Sequence, residues 1–312
     1  MPLVDDYVMK LSMNAIPSNI NYTGEIFHYT ALRSIESILL NPQDKIILWA
    51  SQFDCLNDMS EGTVVEQRYN AVCKSLKSEG QISDKLFDLL SNIKPSHHET
   101  FLIDINGKIN PYCGKYTTYI ASFSESNDLL PMWNYYSKGD MFEGINLGMD
   151  AGEIISSFPT FFADGKIKVC INSVVYNRTE QEQIIKKFLL EIRDKYEEQY
   201  DSSVTAVVSM KLTSWKMLFK QESFSHEEEV RIIVKILDKY KDIWPIKYRI
   251  NMGYIIPYIE LPINKYALKS VTLGPFHGSA SQRRLQTEIL EKMLTTKQYN
   301  AKINISKVPV RY

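Results

Sequence analysis

The sequence lacks the features that mark several large classes of protein. Its 36 basic and 37 acidic residues nearly cancel, which excludes the strong basic excess of many nucleic-acid-binding chains. No segment approaches the roughly 18 apolar residues that a membrane-spanning helix needs. The opening stretch, MPLVDDYVMKLSMN, has no continuous apolar core of the kind found in signal peptides. We therefore expect a cytoplasmic protein without a membrane partner.

Cysteine is also scarce, and its spacing excludes the common zinc sites. The chain has four cysteines that lie far apart, and no two of them form a CxxC pair: Cys55, Cys73, Cys113 and Cys170. The sequence therefore predicts free, mostly buried thiols in a reducing compartment, and no metal site.

Apolar residues make up 44% of the 312 residues, which is enough to fill a core. There is no Pro/Gly/Ser-rich linker and no internal repeat. Strand-like patterns come first, helical patterns follow, and strands return near the end. This order predicts an α+β fold with mostly antiparallel sheets. We expect a single domain over residues 1–312, with helical insertions at about 61–93 and 179–222.

Local patterns supply the expected elements. GEIFHYT alternates like a short strand and contains His28, Tyr29 and Thr30. The clearest helix is TEQEQIIKKFLLEIRDKYEEQY, residues 179–200, and Thr179 with Glu182 fits a capping box at its start. Its apolar stripe consists of Ile185, Leu189, Ile192 and Tyr196. A second capping box, Ser279 with Gln282, precedes a helix near the end of the chain.

The stretch ESFSHEEEVRIIV, residues 222–234, places acidic residues directly before an apolar strand. If residues 227–234 are extended, side chains alternate between the two faces. Glu227, Glu229 and Arg231 then share one face, and Glu228 begins the apolar face that belongs to the core. Carboxylates beside buried β-structure are costly to desolvate unless they have a partner or a task.

Two interpretations of these residues remain open on pattern alone. The strand end can be a solvated edge on which Arg231 pairs with Glu229. Alternatively, a catalytic carboxylate is held in place by an arginine. His28 can likewise be a hydrogen-bonded core histidine or a site residue. The aromatic residues of MWNYYS, which include Trp133 and Tyr136, can pack a core or line a site.

Taken together, these motifs resemble a bacterial family of unknown function designated DUF2971. The resemblance covers roughly residues 25–275 and rests on the order of short motifs along the chain. These are HYT at residues 28–30, LND at 56–58 with Glu61, SFS at 122–124, MW at 132–133 with Tyr136, a glycine-containing strand at 144–148, and Glu227, Glu229 and Arg231.

That family resembles a divergent branch of the ADP-ribosyltransferases. The resemblance implies a split, mostly antiparallel sheet with NAD held in a cleft between its halves. It also implies transfer of ADP-ribose from NAD to a macromolecular acceptor, with nucleic acid (RNA) slightly favoured over protein. Some such proteins are toxins or phage-defence effectors, and a toxin of this kind would need a restraining antitoxin partner.

The resemblance also implies roles for particular residues. Glu229 or Glu227 is the catalytic carboxylate, with Glu229 preferred because it lies deeper in the strand, and Arg231 orients it. We expect Glu229 and His28 to share one pocket. The residues expected to bind NAD come from several motifs: His28, Tyr29, Thr30, Arg33, Ser122, Trp133 and Tyr136. The middle motif stays open between Ser122, Ser124, Tyr135 and Tyr136, and Arg283 with Arg284 is an alternative to Arg33 for the pyrophosphate.

Two other functions remain open at this stage. A NAD glycohydrolase would use the same site with water in place of the acceptor. A non-catalytic binding module would keep the fold without the reaction.

Overall fold

A computed structural model describes residues 23–56, 63–94, 102–103, 109–110, 116–136, 144–158, 167–196, 202–251, 253–275 and 278–309. The strands in chain order are β1 Glu25–Ala31, β2 Ile46–Gln52, β3 Leu102–Ile103, β4 Ile109–Asn110, β5 Tyr116–Ser124, β6 Gly144–Asp150, β7 Ile167–Ser173, β8 Glu229–Leu237, β9 Lys247–Asn251, β10 Tyr254–Ile263, β11 Leu268–Leu273 and β12 Lys302–Ile305.

Helices lie between these strands. In chain order they are α1 Ile35–Ile38, α2 Thr63–Ser78, α3 Asp84–Ser91, α4 Leu130–Tyr136, α5 Ala151–Ser156, α6 Arg178–Tyr196, α7 Ser202–Lys216 and α8 Ala280–Thr296. Helices therefore occupy both of the predicted insertions, and the predicted α+β class is confirmed. No helix among the described residues combines the length and the hydropathy that a membrane crossing requires.

The main sheet is mostly antiparallel and it branches. Its strand order is β12-β11-β6-β1-β5-β2-β10-β9, and β8 and β7 extend from β5. Within this sheet only β11 and β12 run parallel. One edge of β5 pairs with β8 along its whole length, from Tyr116 to Ser124.

The other edge of β5 is shared by two strands. β1 pairs with it at Ser124, and β2 pairs with it at Tyr119 and Ile120. We call the divergence of β1 and β2 beside β5 the fork. It places parts of the predicted HYT and SFS motifs next to each other, although they are more than 90 residues apart in the sequence.

Apolar side chains cover both faces of the sheet. An apolar cluster on one face of the sheet includes Val230, Ile232 and Val234 of β8. A second cluster, on the opposite face, includes Ile233, which packs with apolar residues of α2, α3, α6 and α7. Strand β8 is consequently buried on both faces, and it forms the centre of the molecule.

The two predicted capping boxes have different outcomes. Ser279 and Gln282 form both bonds of the box at the start of α8, as predicted. At α6 the prediction is wrong, because the helix begins at Arg178 and the Asn177 side chain accepts from the Glu180 amide at 3.0 Å. Asparagine is among the residues preferred at the N-cap position, and Asn177 lies two residues before Thr179, the predicted cap.

Candidate functional site

A group of four charged residues, three of them buried and one half-buried, lies at the start of β8. We call Lys220, Glu227, Glu229 and Arg231 the carboxylate cluster. Glu229 is 5% exposed, and Arg231 is 1% exposed. The guanidinium Nε and Nη2 donate to the two carboxylate oxygens of Glu229, each at 2.9 Å. Such a two-point contact fixes the orientation of the carboxylate as well as its charge.

Lys220 joins the two carboxylates of the cluster. Its Nζ lies 2.6 Å from Glu227 Oε2 and 3.3 Å from Glu229 Oε2. Two cations thus face two anions, so the buried charges balance. No sequence pattern indicated Lys220, because it is a lone lysine without periodic context and its partners lie beyond a turn.

The backbone around Lys220 is held by internal hydrogen bonds. Arg231 Nη1 donates to the Met217 carbonyl at 2.8 Å. The buried Gln181 side chain of α6 donates to the carbonyls of Val175 and Lys220, at 2.6 and 2.9 Å. Helix α6 therefore positions the lysine that faces the two carboxylates.

The charges in the cluster shift the pKa values of its members. Burial alone would raise the pKa of Glu229, but Arg231 and Lys220 outweigh it and lower that pKa to about 2. Burial would lower the pKa of Lys220, but Glu229 and Glu227 raise it above its ordinary value. Both groups are therefore ionised near neutral pH.

The predicted alternation over residues 227–229 is wrong. Glu227 ends a 3₁₀ turn, Glu222–Glu227, and β8 begins only at Glu229. Glu228 between them adopts left-handed backbone with φ of 44°, which reverses the chain before the strand. Glu228 is exposed and accepts a hydrogen bond from Ser126, so it does not belong to the core. Glu227 reaches Glu229 through Lys220 and not through the strand.

The expectation that His28 and Glu229 enter the same pocket is also wrong. Phe27 pairs with Ser124, and Ser124 pairs with Glu229, so these three side chains share one face of the sheet. His28 follows Phe27 and points to the other face. There its ring contacts Phe123, with centroids 5.4 Å apart.

His28 nevertheless lies next to the cluster through Ser122. Its Nδ1 is 3.2 Å from the Ser122 carbonyl, and the Ser122 side chain helps to lower the pKa of Glu229. Burial lowers the pKa of His28, so a neutral ring that donates from Nδ1 is favoured. We infer that His28 has a structural role at the fork. Beyond Ser124 the backbones of β1 and β5 no longer pair, and the His28 ring bonds to the Ser122 carbonyl of β5 instead.

Two of the predicted NAD-binding aromatics are core residues. Trp133 is fully buried, its Nε1 donates to Asp128 at 2.8 Å, and its ring meets Tyr29 edge-on at 4.7 Å. The Tyr29 hydroxyl donates to the Ser126 carbonyl and accepts from the Leu129 amide. These contacts tie α4 to β1, because α4 folds back over the sheet, and they leave neither ring face open to a ligand.

The remaining predicted residues lie in different places. Thr30 is half-buried at the end of β1 and donates to Ser34, and Arg33 is exposed in the following turn. Tyr136 is exposed at the end of α4. Of the middle-motif candidates, Ser122 is the one whose side chain affects Glu229. The motif residues Asn57, Asp58 and Glu61 lie outside the described residues.

The 3₁₀ turn before β8 adds a group that the motifs did not single out. The ring of His226 packs against the exposed ring of Tyr135 at 5.7 Å, beside Glu227. His226 Nε2 is buried, and among the described residues it has no hydrogen-bond partner. A buried ring nitrogen without a partner is unusual, and it leaves one hydrogen-bonding position of the ring unused.

Comparison with known proteins gives one match. Residues 132–232 match the model of a family described as Protein of unknown function (DUF2971). The matched segment runs from α4 into β8 and contains the whole carboxylate cluster. It is about a third of the chain and supports the resemblance that the motifs indicated. No curated protein and no solved structure matches this sequence.

Proposed function

We propose that this protein transfers ADP-ribose from NAD to a macromolecular acceptor at the carboxylate cluster, with RNA favoured over protein. The observation that carries the proposal is the pair of ionised carboxylates held by Lys220 and Arg231 beside the unpartnered Nε2 of His226. The SFS motif pairs with the start of β8 there, with Ser122 opposite Arg231 and Ser124 opposite Glu229.

The reaction requires stabilisation of positive charge on the ribose. The bond between the ribose C1 and the nicotinamide nitrogen breaks, and its electron pair leaves with neutral nicotinamide. A nucleophilic atom of the acceptor then bonds to C1 and releases its proton to solvent. The transition state resembles an oxocarbenium ion, which a correctly placed carboxylate stabilises more than it stabilises the ground state.

Accessibility favours Glu227 over Glu229 as the carboxylate that contacts the ribose. The Glu227 side chain is 15% exposed and the Glu229 side chain 6% exposed. Both oxygens of Glu229 bind Arg231, whereas Glu227 bonds to Lys220 through Oε2 alone. The second oxygen of Glu227 can accept from a ribose hydroxyl. Glu229 is then a positioning residue that holds Lys220 and Arg231.

Side chains near Glu227 can contact the nicotinamide ring and its carboxamide. Tyr135 and Tyr136 present exposed rings on α4, and an aromatic face attracts the cationic nicotinamide ring. His226 Nε2 can hydrogen-bond a hydroxyl or the carboxamide. Arg33, exposed in the turn after β1, is a candidate for the pyrophosphate.

An exposed tryptophan supports RNA as the acceptor. Trp49 of β2 is 40% exposed, and the Arg249 guanidinium lies 5.8 Å from the centroid of its ring. Trp49 shares a sheet face with the carboxylate cluster, because Ser51 pairs with Ile120 two residues from Ser122. Aromatic and guanidinium groups together stack unpaired bases. Trp49→Ala is expected to weaken binding of single-stranded RNA in a filter or anisotropy assay.

The proposal includes a biological role as a toxin or phage-defence effector with an antitoxin partner. One observation favours a second candidate, a non-catalytic binding module. Glu229 is fully paired, as expected of a structural ion cluster that performs no reaction.

Adenine-labelled NAD, supplied with total RNA and with cell protein, separates these functions. Label in RNA supports the proposal, label in protein changes the acceptor, and free ADP-ribose alone indicates a NAD glycohydrolase. Glu227→Gln should abolish the signal. Glu222→Gln, an exposed residue of the same turn, is the matched control and should not. Absence of all three products with the folded wild-type protein would contradict the proposal and leave the binding module.

A further inference from the structure

A polar pocket lies away from the carboxylate cluster, on the other side of the Asn127–Asp128 turn. Its volume is about 660 Å³, within the range of small-molecule sites. Its floor is formed by β11 and β12, and its wall by Asn127 and Asp128. Neither the motifs nor the proposed function uses this pocket.

One residue of the pocket lining has a buried hydroxyl without a partner. Thr272 is 3% exposed, and its Oγ1 has no hydrogen-bond partner within the described part of the chain. The neighbouring cross-strand residue Asn146 is fully buried, and its Oδ1 also lacks a partner. Two adjacent unsatisfied polar atoms are costly unless a ligand or water fills the space above them.

The charges around the pocket are arranged asymmetrically. Its two acids are already hydrogen-bonded. Asp128 accepts from Trp133, Ser306 and the Lys307 amide, and Glu25 accepts from Ser270. The ammonium groups of Lys269, Lys302 and Lys307 have no acidic partner among the described residues. Three lysines and two carboxylates line the pocket, so its formal charge is +1.

Gly148 lies beneath the floor of this pocket and leaves space for two polar side chains. Glu25 and Ser270 meet above Gly148, and a Cβ at Gly148 would overlap both of their side chains. Lys302 pairs with Ser270, and Asn304 pairs with Thr272, so these polar side chains share the face that forms the floor. Glycine at 148 thus leaves room for the Glu25 carboxylate to accept from Ser270.

We propose that this pocket binds a small phosphorylated sugar, such as a sugar phosphate or the phosphoribosyl end of a nucleotide. The lysine ammonium groups match a phosphate as point charges. Thr272, Asn304 and Asn127 supply the donors and acceptors that sugar hydroxyls need. The site stands on its own observations and does not depend on the proposed transferase reaction.

Calorimetric titration with ribose 5-phosphate, glucose 6-phosphate, AMP and inorganic phosphate tests this proposal on the full chain. At least one of the three sugar phosphates should bind more tightly than inorganic phosphate. Lys302→Gln should weaken that binding by roughly 10-fold, since it removes a charged hydrogen bond. Lys292→Gln removes an equal charge from the exposed surface of α8 and should change nothing.

Thr272→Val tests the contribution of the hydroxyl separately from that of the lysine charges. It keeps the shape and the strand preference of the side chain, and should weaken the sugar phosphate by about 5- to 10-fold without affecting inorganic phosphate. Glu227→Gln should leave binding at this pocket unchanged. A failure of the transferase proposal can therefore be told apart from a failure of the pocket proposal. Absence of saturable binding by all three sugar phosphates, or equal losses in Lys302→Gln and Lys292→Gln, would overturn the proposal.

Discussion

Glu229 illustrates how a buried acid is kept charged. Two cations contact it, and their attraction outweighs the cost of removing the carboxylate from water. The i, i+2 spacing on a strand was sufficient to predict its pairing with Arg231. The sequence could not predict Lys220, because that contact depends on how α6 fixes the preceding turn.

This arrangement predicts a specific acid sensitivity. The pKa of Glu229 is near 2 in the folded protein and ordinarily near 4.5, so its stabilising effect is complete above pH 4.5. It is lost as the pH falls from 4.5 towards 2, and it amounts to about 3 kcal/mol. Chemical denaturation of wild type between pH 7 and pH 3 should show this decline.

Glu229→Gln should remove that contribution. At pH 7 the variant is expected to lose about 3–5 kcal/mol of unfolding free energy, because Arg231 and Lys220 are left without their shared partner. Glu222→Gln, which lies on the surface, serves as the control. Equal stability of Glu229→Gln and Glu222→Gln at pH 7 would refute the description of the cluster as a buried network.

Lys235 shows the opposite effect of burial. It is buried on β8, opposite Lys168 of β7, and burial lowers its pKa to about 8. Because this folded-state pKa lies below the ordinary value of 10.5, the unfolded chain binds more protons between pH 8 and 10.5. The contribution of Lys235 to the free energy of unfolding should therefore rise over that interval, and its full destabilising effect should be present below pH 8.

Lys235→Met should consequently stabilise the protein at pH 7, by roughly 3 kcal/mol. The gain should shrink as the pH rises from 8 to 10.5, because the lysine of the folded wild type is then neutral and no charge is buried. Denaturant titration of the variant at pH 7 and pH 10 measures the difference, with the exposed Lys187→Met as control. A gain that does not depend on pH would show that the effect comes from apolar burial alone.

At the scale of elements, hydrophobic periodicity predicted whether a segment is a helix or a strand better than it predicted where that element begins. The apolar stripe of α6 predicted the helix, but the cap lies at Asn177, two residues before Thr179. Alternation also failed before β8, because one left-handed residue, Glu228, reverses the chain. A charge pattern carries no signal for such a turn.

The cap at α6 gives a direct test of the element boundary. Asn177→Ala should lower the free energy of unfolding by about 1 kcal/mol, since the Glu180 amide loses its acceptor. Thr179→Ala should have a much smaller effect, because Thr179 lies inside the helix. Thermal or denaturant unfolding of both variants decides between the two caps, and a larger loss from Thr179→Ala would favour the sequence prediction.

At the scale of the whole molecule, the sheet branches at β5, and this places the motifs. The class of fold followed from the order of strand and helix patterns. The fork did not, because β5 pairs with β1, β2 and β8, whose positions in the sequence are far from it. For the same reason the sequence could not show that His28 and Glu229 point to opposite faces of the sheet.

Residues 125–129 connect the two proposed sites. Ser126 donates to Glu228 next to the carboxylate cluster, and Asp128 forms a wall of the polar pocket. The Tyr29 hydroxyl bonds on both sides of this turn, to the Ser126 carbonyl and the Leu129 amide. The same short segment therefore supports the structure around both sites.

The central claim is that the carboxylate cluster breaks the bond between nicotinamide and ribose, and nicotinamide release tests it for any acceptor. Purified wild-type protein with NAD and RNA should release nicotinamide, and Glu227→Gln should release it roughly 100- to 1,000-fold more slowly while remaining folded under the assay conditions. Equal release by wild type and by folded Glu227→Gln, or none by either, would contradict the account.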